Sequence, residues 1–277
     1  MSGLVENLRR RAEVVRAVRA FFDDRGFTEV STPVLISAPA PEPHIDCPPC
    51  GKGFLRASPE LQMKKLLAAG MDRIYQIGPC FRDGELGARH NPEFTMIEWY
   101  RLGVTYLDIA ADAESLLHDV MPGCAAPSRI TVREAYLRWA GWDPWLEWDQ
   151  DRFDLDMASK IEPSLPKGAV FLMDYPKEAA SLALLRGDVA ERWELYVDGV
   201  ELANCFTELC DGAEQRRRFL AAKEERRLLG ESDYPLDDEF LELLPLVGSA
   251  SGVALGVDRL VALAIGEDDI HSAMCGV

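Results

Sequence analysis

Two stretches of this chain double back on themselves through short polar turns rather than through helices. Residues 74–82 and 93–102 read as strands joined by the loop 83–92, and 191–209 reads as a strand pair turned at Asp198-Gly199, a strong hairpin dipeptide. Hairpin-linked strands pair antiparallel, whereas parallel strands need a long crossover between them. The pattern predicts a mainly antiparallel sheet with helices packed on it, an α+β fold.

Other elements fit around these hairpins. Apolar residues at 8, 12, 15, 18 and 22 trace one helix face, with Gly26 as its stop. The run 27–36 reads as a strand that Pro33 turns into an edge or an interrupted ladder, a place that suits a subunit contact. A short strand at 54–57 leads to a helix with Ser58 as N-cap, Pro59 at its first position and Gly70 as its end. Residues 106–165 read as mainly helical, 171–175 as a strand, 213–229 as a charged helix, and 252–257 as a small-residue strand entering an apolar helix near Arg259. With 277 residues the chain is long enough to bury a sizeable core.

Composition excludes several classes. No apolar run approaches a membrane span and the first residues lack a signal-peptide core. Seven cysteines without framework spacing read as reduced thiols in a cytoplasmic protein. The excess of 47 acidic over 30 basic residues, a net charge of −17, disfavours broad binding to nucleic acid. Lys64-Lys65, or Arg216-Arg217-Arg218 with Lys223, Arg226 and Arg227, could still supply a local basic face; the alternative is solvated helix surface.

Three constellations carry chemistry. Arg82 leads into the loop 83–92, and Arg89 and His90 lie within it. Guanidinium groups gathered around a loop suit phosphate oxygens, which their planar fork binds bidentately. On the strand leaving the loop, alternation puts Phe94, Met96, Glu98 and Tyr100 on one face. A carboxylate between aromatics is costly to bury unless it meets a cation. A ligand ammonium would serve; so would a protein arginine, or exposure of that face to solvent. In the second constellation the two-residue turn pairs Tyr196 with Glu201, which makes Glu194 the diagonal neighbour of Glu201 at roughly 7–8 Å. Two such carboxylates suit Mg²⁺ on nucleotide phosphates, or are plain surface acids. Asn204 and Glu208 continue this polar lining. The third is Gly252 to Leu260, where small residues let a ligand approach the backbone and Arg259 stands at a helix start.

Together these residues resemble the class II aminoacyl-tRNA synthetases, in particular the lysyl enzymes, and most of all their stand-alone relatives that ligate (R)-β-lysine to elongation factor P. The strings RHNPEFTM at 89–96 and GVALGVDRL at 252–260 carry the likeness, which runs from about residue 5 to the end. The resemblance implies one catalytic domain over 1–277 with a helical insert at about 106–165 and no anticodon-binding domain. It implies a homodimer through motif 1, residues 8–33, with motif 2 around 81–100 and motif 3 at 252–260.

It further implies that ATP and Mg²⁺ are used. Arg82 and Arg259 would be catalytic, holding the α-phosphate and the far phosphates. Asp83, His90, Asn91, Phe94, Glu201, Leu202 and Gly256 would complete the ATP site, with Phe94 stacked on adenine, and Glu194 and Glu201 would bind the metal. Ser58, Pro59, Glu60, Glu98, Tyr100, Asn204, Glu208 and Ala254 would hold lysine or (R)-β-lysine, Glu60 taking the backbone-side ammonium and Glu98, Tyr100 and Glu208 the side-chain ammonium. The expected acceptor is elongation factor P, not a tRNA, and no membrane is involved. Three departures from the family pattern stand out. Gly84 stands where the family has a glutamate that contacts ATP, so that contact is either lost or supplied by Glu85. Cys205 replaces a glycine and adds bulk near the pocket. The segment 44–50 has no counterpart, and its Cys47–Cys50 pair lacks the second ligand pair of a structural zinc site.

Overall fold

The computed structural model describes residues 2–275 and divides the chain into two units, one formed by the chain up to Gly103, Cys210–Ala250 and the chain from Ala254 onward, the other by Val104–Leu209 and Ser251–Val253. The first unit opens with α1 (Ser2–Asp23), β1 (Thr28–Glu29), β2 (Leu35–Ile36), β3 (Pro49–Cys50), β4 (Gly53–Leu55), α2 (Glu60–Ala68), β5 (Arg73–Phe81) and β6 (Glu93–Leu102). β5 and β6 are antiparallel in unbroken register, from Arg73 opposite Arg101 to Phe81 opposite Glu93, and β1 lies parallel to β5. The apolar face of α1 is fixed there by aromatic packing. Phe22 stacks on Tyr75 with ring centroids 4.8 Å apart and meets Phe27 and Trp99.

Two sequence expectations shift in this stretch. The strand expected at 27–36 is broken: β2 leaves the main sheet and pairs with β4, which also pairs with β3. Thr32 explains the break, because its N–H and hydroxyl both donate to Gln76 Oε1, at 3.0 and 2.9 Å, and Pro33 has no N–H to continue a ladder. At α2, Pro59 holds the N-cap position rather than the first helical one, while the Ser58 hydroxyl still accepts from Glu60 N at 2.9 Å.

The second unit contains α3 (Tyr106–Val120), β7 (Ser128–Thr131), α4 (Val132–Ala135), α5 (Gln150–Asp156), β8 (Ala169–Pro176), β9 (Leu185–Arg186), β10 (Val189–Val197) and β11 (Val200–Thr207). The stretch 106–165 is therefore not wholly helical, since β7 pairs parallel with β8. α3 and α4 start at capping boxes, Thr105 with Asp108 and Thr131 with Glu134. Tyr136 stacks on Phe153 with centroids 4.7 Å apart, and Trp142 meets Tyr136 edge-on while its Nε1 donates to Asp156 at 2.9 Å. β8, β10 and β11 run antiparallel, and Asp198 and Gly199 take φ of 49° and 77°, the two left-handed positions of the tight hairpin.

That hairpin departs from simple register. Tyr196 faces Glu201 as expected, but Leu195 then faces Ala203 and Glu194 faces Asn204, so Leu202 is an extra residue in β11, a β-bulge. The bulge brings Glu201 and Asn204, three apart, onto the same face as Glu194 and Tyr196. Cys205 faces Trp193 on the opposite side and is fully buried. Its bulk is thus directed away from the polar face, contrary to the sequence expectation.

The first unit resumes with α6 (Gly212–Leu229), α7 (Asp238–Leu243), β12 (Ala250–Gly256), whose residues Ser251–Val253 group with the second unit, and α8 (Val257–Ile265). The basic run on α6 is paired by neighbouring acids: Arg217 and Arg218 with Glu214, Arg216 with Asp238, Lys223 with Asp233, and Arg227 with Glu224. Lys65 likewise meets Asp237 and Glu239, and Lys64 is buried. These residues form no open basic face. No helix among the described residues is long and apolar enough to cross a membrane.

Gly212 marks a close backbone approach of α6 to α7. A Cβ there would fall deep inside van der Waals contact with the Leu241 carbonyl oxygen. Gly212→Ala should lower the unfolding free energy by about 1–3 kcal/mol, the scale of an overpacked site. The measurement is the urea midpoint at constant slope, and an unchanged midpoint would show that this contact does not set the helix spacing.

Candidate active site

The loop after β5 is closed at its base and pinned at its tip. Arg82 N donates to Pro92 O at 2.9 Å, Gly87 and His90 exchange backbone bonds of 3.0 and 3.1 Å, and Ile270 N donates to Ala88 O at 3.0 Å. Gly84 has φ of 75° with open space where a Cβ would sit, so this position requires the left-handed backbone rather than a small volume. The next residue, Glu85, reaches Arg82 with Nη1 and Oε1 3.5 Å apart. Arg82 also lies over the Phe94 ring, 5.2 Å from its centroid. Its Nε is buried and has no hydrogen-bond partner among the described residues. A donor left in that state costs free energy that an anionic oxygen would recover.

Arg259, in the first turn of α8, belongs to the same loop. Its Nε donates to Arg89 O at 3.2 Å and its Nη2 lies 2.8 Å from His90 Nε2. Burial and the neighbouring guanidinium of Arg259 hold the His90 pKa below its ordinary value, which suits a neutral ring accepting from Arg259. Asn91 is turned the other way, its Nδ2 donating to Glu93 O at 2.6 Å. Asp83 folds onto the loop, its Oδ1 accepting from Gly84 N at 3.0 Å. On β12 the burial alternates, with Ala254 and Gly256 partly open beside buried Val253 and Leu255.

A second cluster of this unit lies where α2 starts against β6. Glu98 is 1% exposed, and among the described residues its carboxylate takes two hydroxyl donors, Ser58 at 2.5 Å and Tyr100 at 2.8 Å, and no ion pair. Burial pushes its pKa up to about 7, helped by the charge of Glu60 and opposed by the two hydroxyls and Lys64. Glu60 differs, since Lys64, four residues on along α2 and almost fully buried, meets its Oε1 at 2.5 Å. Of the two open readings of the Glu98 face, neither a protein arginine nor solvent is what the structure provides. Pro59 contributes its carbonyl, which accepts the first helical bond from Met63.

In the second unit the polar face of β10 and β11 is organised by Arg192. Its Nη2 meets Glu194 Oε1 at 2.5 Å, its Nε donates to Asn204 Oδ1 at 3.2 Å, and its Nη1 donates to Ala179 O at 2.8 Å, while the guanidinium covers the Tyr175 ring at 4.3 Å. The Tyr196 hydroxyl holds the other Glu194 oxygen at 2.7 Å. Glu201 stays partly open on this face, Glu208 is buried at the end of β11, and Leu202 is the bulge residue. Each Glu194 oxygen keeps a lone pair beyond these donors, and the all-oxygen pair with Glu201 fits Mg²⁺, which is held by one or two carboxylates with phosphates and water completing its shell. Among the described residues no group of three or more His, Cys, Asp or Glu is gathered for a metal, and Cys47 is buried while Cys50 is exposed.

Sequence reasoning gave Arg192 no role and Lys64 only a place in a possible basic face. Arg192 stands two residues from Glu194 on one strand, and Lys64 four residues from Glu60 on one helix, so the periods of strand and helix were the available signals.

The family model described as tRNA synthetases class II (D, K and N) matches residues 2–275. An elongation factor P–(R)-β-lysine ligase of Proteus mirabilis (strain HI4320) is 38% identical over 312 aligned residues, covering 99% of this chain and 95% of the relative. Proteins of the same name from Vibrio cholerae and Hamiltonella defensa are 36% and 34% identical, covering 96% and 99% of this chain and 93% and 95% of their own lengths. The chain belongs to the class II tRNA synthetases (D, K and N), in the family of the elongation factor P–(R)-β-lysine ligases.

Proposed function

We propose that this chain uses ATP to activate a lysine-like diamino acid as its adenylate and transfers it to a lysine side chain of elongation factor P, as a homodimer joined through residues 8–33. The observation that carries this reading is the Ser58–Glu98–Tyr100 cluster. A buried carboxylate held by two hydroxyls is completed by an ammonium. The unpartnered Nε of Arg82 supports the other half of the reading, because it is completed by a phosphate or carboxylate oxygen.

The amino-acid carboxylate would attack the α-phosphorus of ATP, forming the mixed anhydride and releasing pyrophosphate. An acceptor amine would then attack the activated carbonyl, forming the amide and releasing AMP. No protein nucleophile is required. Arg82 stabilises charge at the reacting phosphoryl group, Arg259 and His90 hold the distal phosphates, and Phe94 stacks on the base. Asp83, Asn91, Gly256 and the bulged backbone at Leu202 complete the nucleotide contacts, Asn91 after releasing the Glu93 carbonyl. Glu194 and Glu201 would hold Mg²⁺, which supplies charge neutralisation on the phosphates. Glu60 would take the backbone-side ammonium, with Ser58 and Pro59 fixing the start of α2, and Glu98 and Tyr100 would take the distal one.

Amino-acid-dependent pyrophosphate exchange tests the site. Arg259→Ala and Glu201→Ala should each reduce it by about 10²-fold or more, the effect of removing one preorganised electrostatic contact. Exchange unaffected by both changes would dismiss the proposed residues. In the transfer step, labelled amino acid should appear on elongation factor P by mass spectrometry, and preferential charging of lysine tRNA would redirect the reading to a tRNA ligase.

Acidity supplies a second test. Only ionised Glu98 attracts an ammonium, and its carboxyl titrates at about 7. The KM for the amino acid should therefore rise as pH falls below 7, approaching tenfold per pH unit. Glu98→Gln should weaken binding and flatten that profile; a variant that keeps the slope would assign the titration elsewhere.

The choice between lysines rests on Ala254. In the families this chain resembles, the lysyl enzymes carry glycine at this position and the β-lysine ligases alanine. The added methyl should disfavour an ammonium on the α-carbon relative to one displaced by a carbon, and changes of methylene scale are worth about tenfold to two-hundredfold. (R)-β-lysine should be preferred, and Ala254→Gly should erode the preference by improving α-lysine activation. Equal kcat/KM for both lysines in the unmodified chain would reject this assignment.

A further inference from the structure

The segment 44–50 matched no motif, and Arg226 belonged to a charge run that is otherwise surface-paired. The structure joins them. Arg226, 1% exposed on α6, donates from Nη1 to the carbonyls of Glu42 and Ile45 at 2.6 and 3.0 Å, from Nη2 to Asp46 Oδ1 at 2.5 Å and from Nε to Ser232 O at 3.0 Å. Glu231 Oε2 lies 3.0 Å from Nη1, and the guanidinium covers the Tyr234 ring at 4.4 Å. The Tyr234 hydroxyl donates to Asp46 Oδ1 at 3.1 Å and accepts from Cys47 N at 2.9 Å. Tyr234 itself is held back onto α6 by Lys223, which binds its carbonyl oxygen.

The other side of Asp46 faces the nucleotide loop. Its carbonyl accepts from Asp83 N at 2.8 Å. The β5–β6 ladder ends at Phe81 opposite Glu93 and the loop closes at Arg82 with Pro92, so Asp83 N is the first amide beyond the hairpin's own bonds. We propose that Arg226, Asp46 and Tyr234 form a brace that positions the start of the ATP-binding loop at Asp83 through the Asp46–Asp83 bond. An apolar plug of equal volume could hold α6 in place as well as a buried ion pair does. It would not fix several acceptors of one loop at once, which a planar five-donor group does and a lysine ammonium does not.

The brace rests on the reading of 82–91 as the nucleotide loop, and the test separates the two. Tyr234→Phe keeps the ring under Arg226 and removes only the hydroxyl; Arg226→Lys keeps the charge and removes the fork. In pyrophosphate exchange both variants should raise the KM for ATP, by about threefold to tenfold for Tyr234→Phe, the effect of losing one or two hydrogen bonds, and by more for Arg226→Lys. The KM for the amino acid should stay constant, because Ser58, Glu60 and Glu98 are held by other contacts. Arg227→Ala, exposed on the same helix, is the control and should change neither constant. A general loss of structure would instead lower kcat with the folded fraction and leave both KM values alone. That result, or an unchanged KM for ATP in both folded variants, overturns the brace. Amide hydrogen exchange reads it without catalysis: Asp83 should exchange faster in both variants while Ile97 in β6 keeps its protection, and equal protection of Asp83 rejects the proposal. If the unmodified chain shows no exchange activity, the functional reading fails and Asp83 protection alone decides the brace.

Discussion

One buried carboxylate ties together the reactive elements of the first unit. Asp258, 3% exposed, accepts from Thr95 N at 2.6 Å and meets Arg11 at 2.6 Å, and Arg11 in turn donates to the Thr95 hydroxyl at 3.0 Å. These three residues come from α1, β6 and α8, elements separated by most of the chain. Asp258 also sits in the first turn of α8, where the helix dipole favours a negative charge. Removing one member of such a pair typically costs about 3–5 kcal/mol, because the other charge is left buried and uncompensated. Position is at stake as well as stability. Thr95 follows Phe94 and Asp258 precedes Arg259, so the same contact fixes the ring and the guanidinium assigned to the nucleotide.

The second unit solves a similar problem along one strand. Glu194 is buried on β10, and Arg192 supplies its counter-charge from two residues away on the same face. Strand alternation alone would put Glu201 and Asn204 on opposite faces, since they are an odd number of residues apart. The bulge at Leu202 removes that conflict at the cost of one unpaired position in β11. Arg192 can then hold Glu194 and Asn204 together, so a local ladder defect is what makes the polar face continuous.

How much of this was legible in the sequence follows from how each feature is encoded. The hairpins at 83–92 and 198–199 were legible because turn chemistry and alternation are written residue by residue. The bulge was not, since an inserted residue in a ladder leaves no mark in composition. β7 was missed because four residues of a parallel edge strand lie between helix caps in a helix-rich stretch. Arg226 was hidden by its neighbours. The buried residues of α6 are Gly212, Gln215, Phe219 and Arg226, so its inward face is nearly as polar as its outward one and the helix shows little amphipathicity. Among the site residues, Arg82, Glu98 and Arg259 stood out by pattern, whereas the inward turn of Asn91 depends on a single loop contact that no spacing rule expresses.

In the proposed site, the two acids at the start of α2 and on β6 would divide the work of selecting a substrate. Glu60 already has a cation in Lys64, so an arriving ammonium shares it. Among the described residues Glu98 has hydroxyl donors and no ion pair, so in the proposed site its charge would be matched by the ligand ammonium. A fixed buried carboxylate would reject an apolar side chain steeply, because sites built for a polar partner discriminate by up to about 10⁴–10⁵ when it is missing. Glu98 is not fixed, however: with its carboxyl at about 7 it can take a proton near neutrality at small cost and then tolerate an apolar neighbour. With Glu98 in the proposed role, discrimination against uncharged side chains would depend on the ratio of ionised to protonated Glu98, which grows about tenfold per pH unit. The hydroxyls of Ser58 and Tyr100 and the charge of Lys64 pull that ratio toward the ionised form, while burial and Glu60 pull it back. The selectivity of the cluster is thus set by the surroundings of Glu98 as much as by the carboxylate itself.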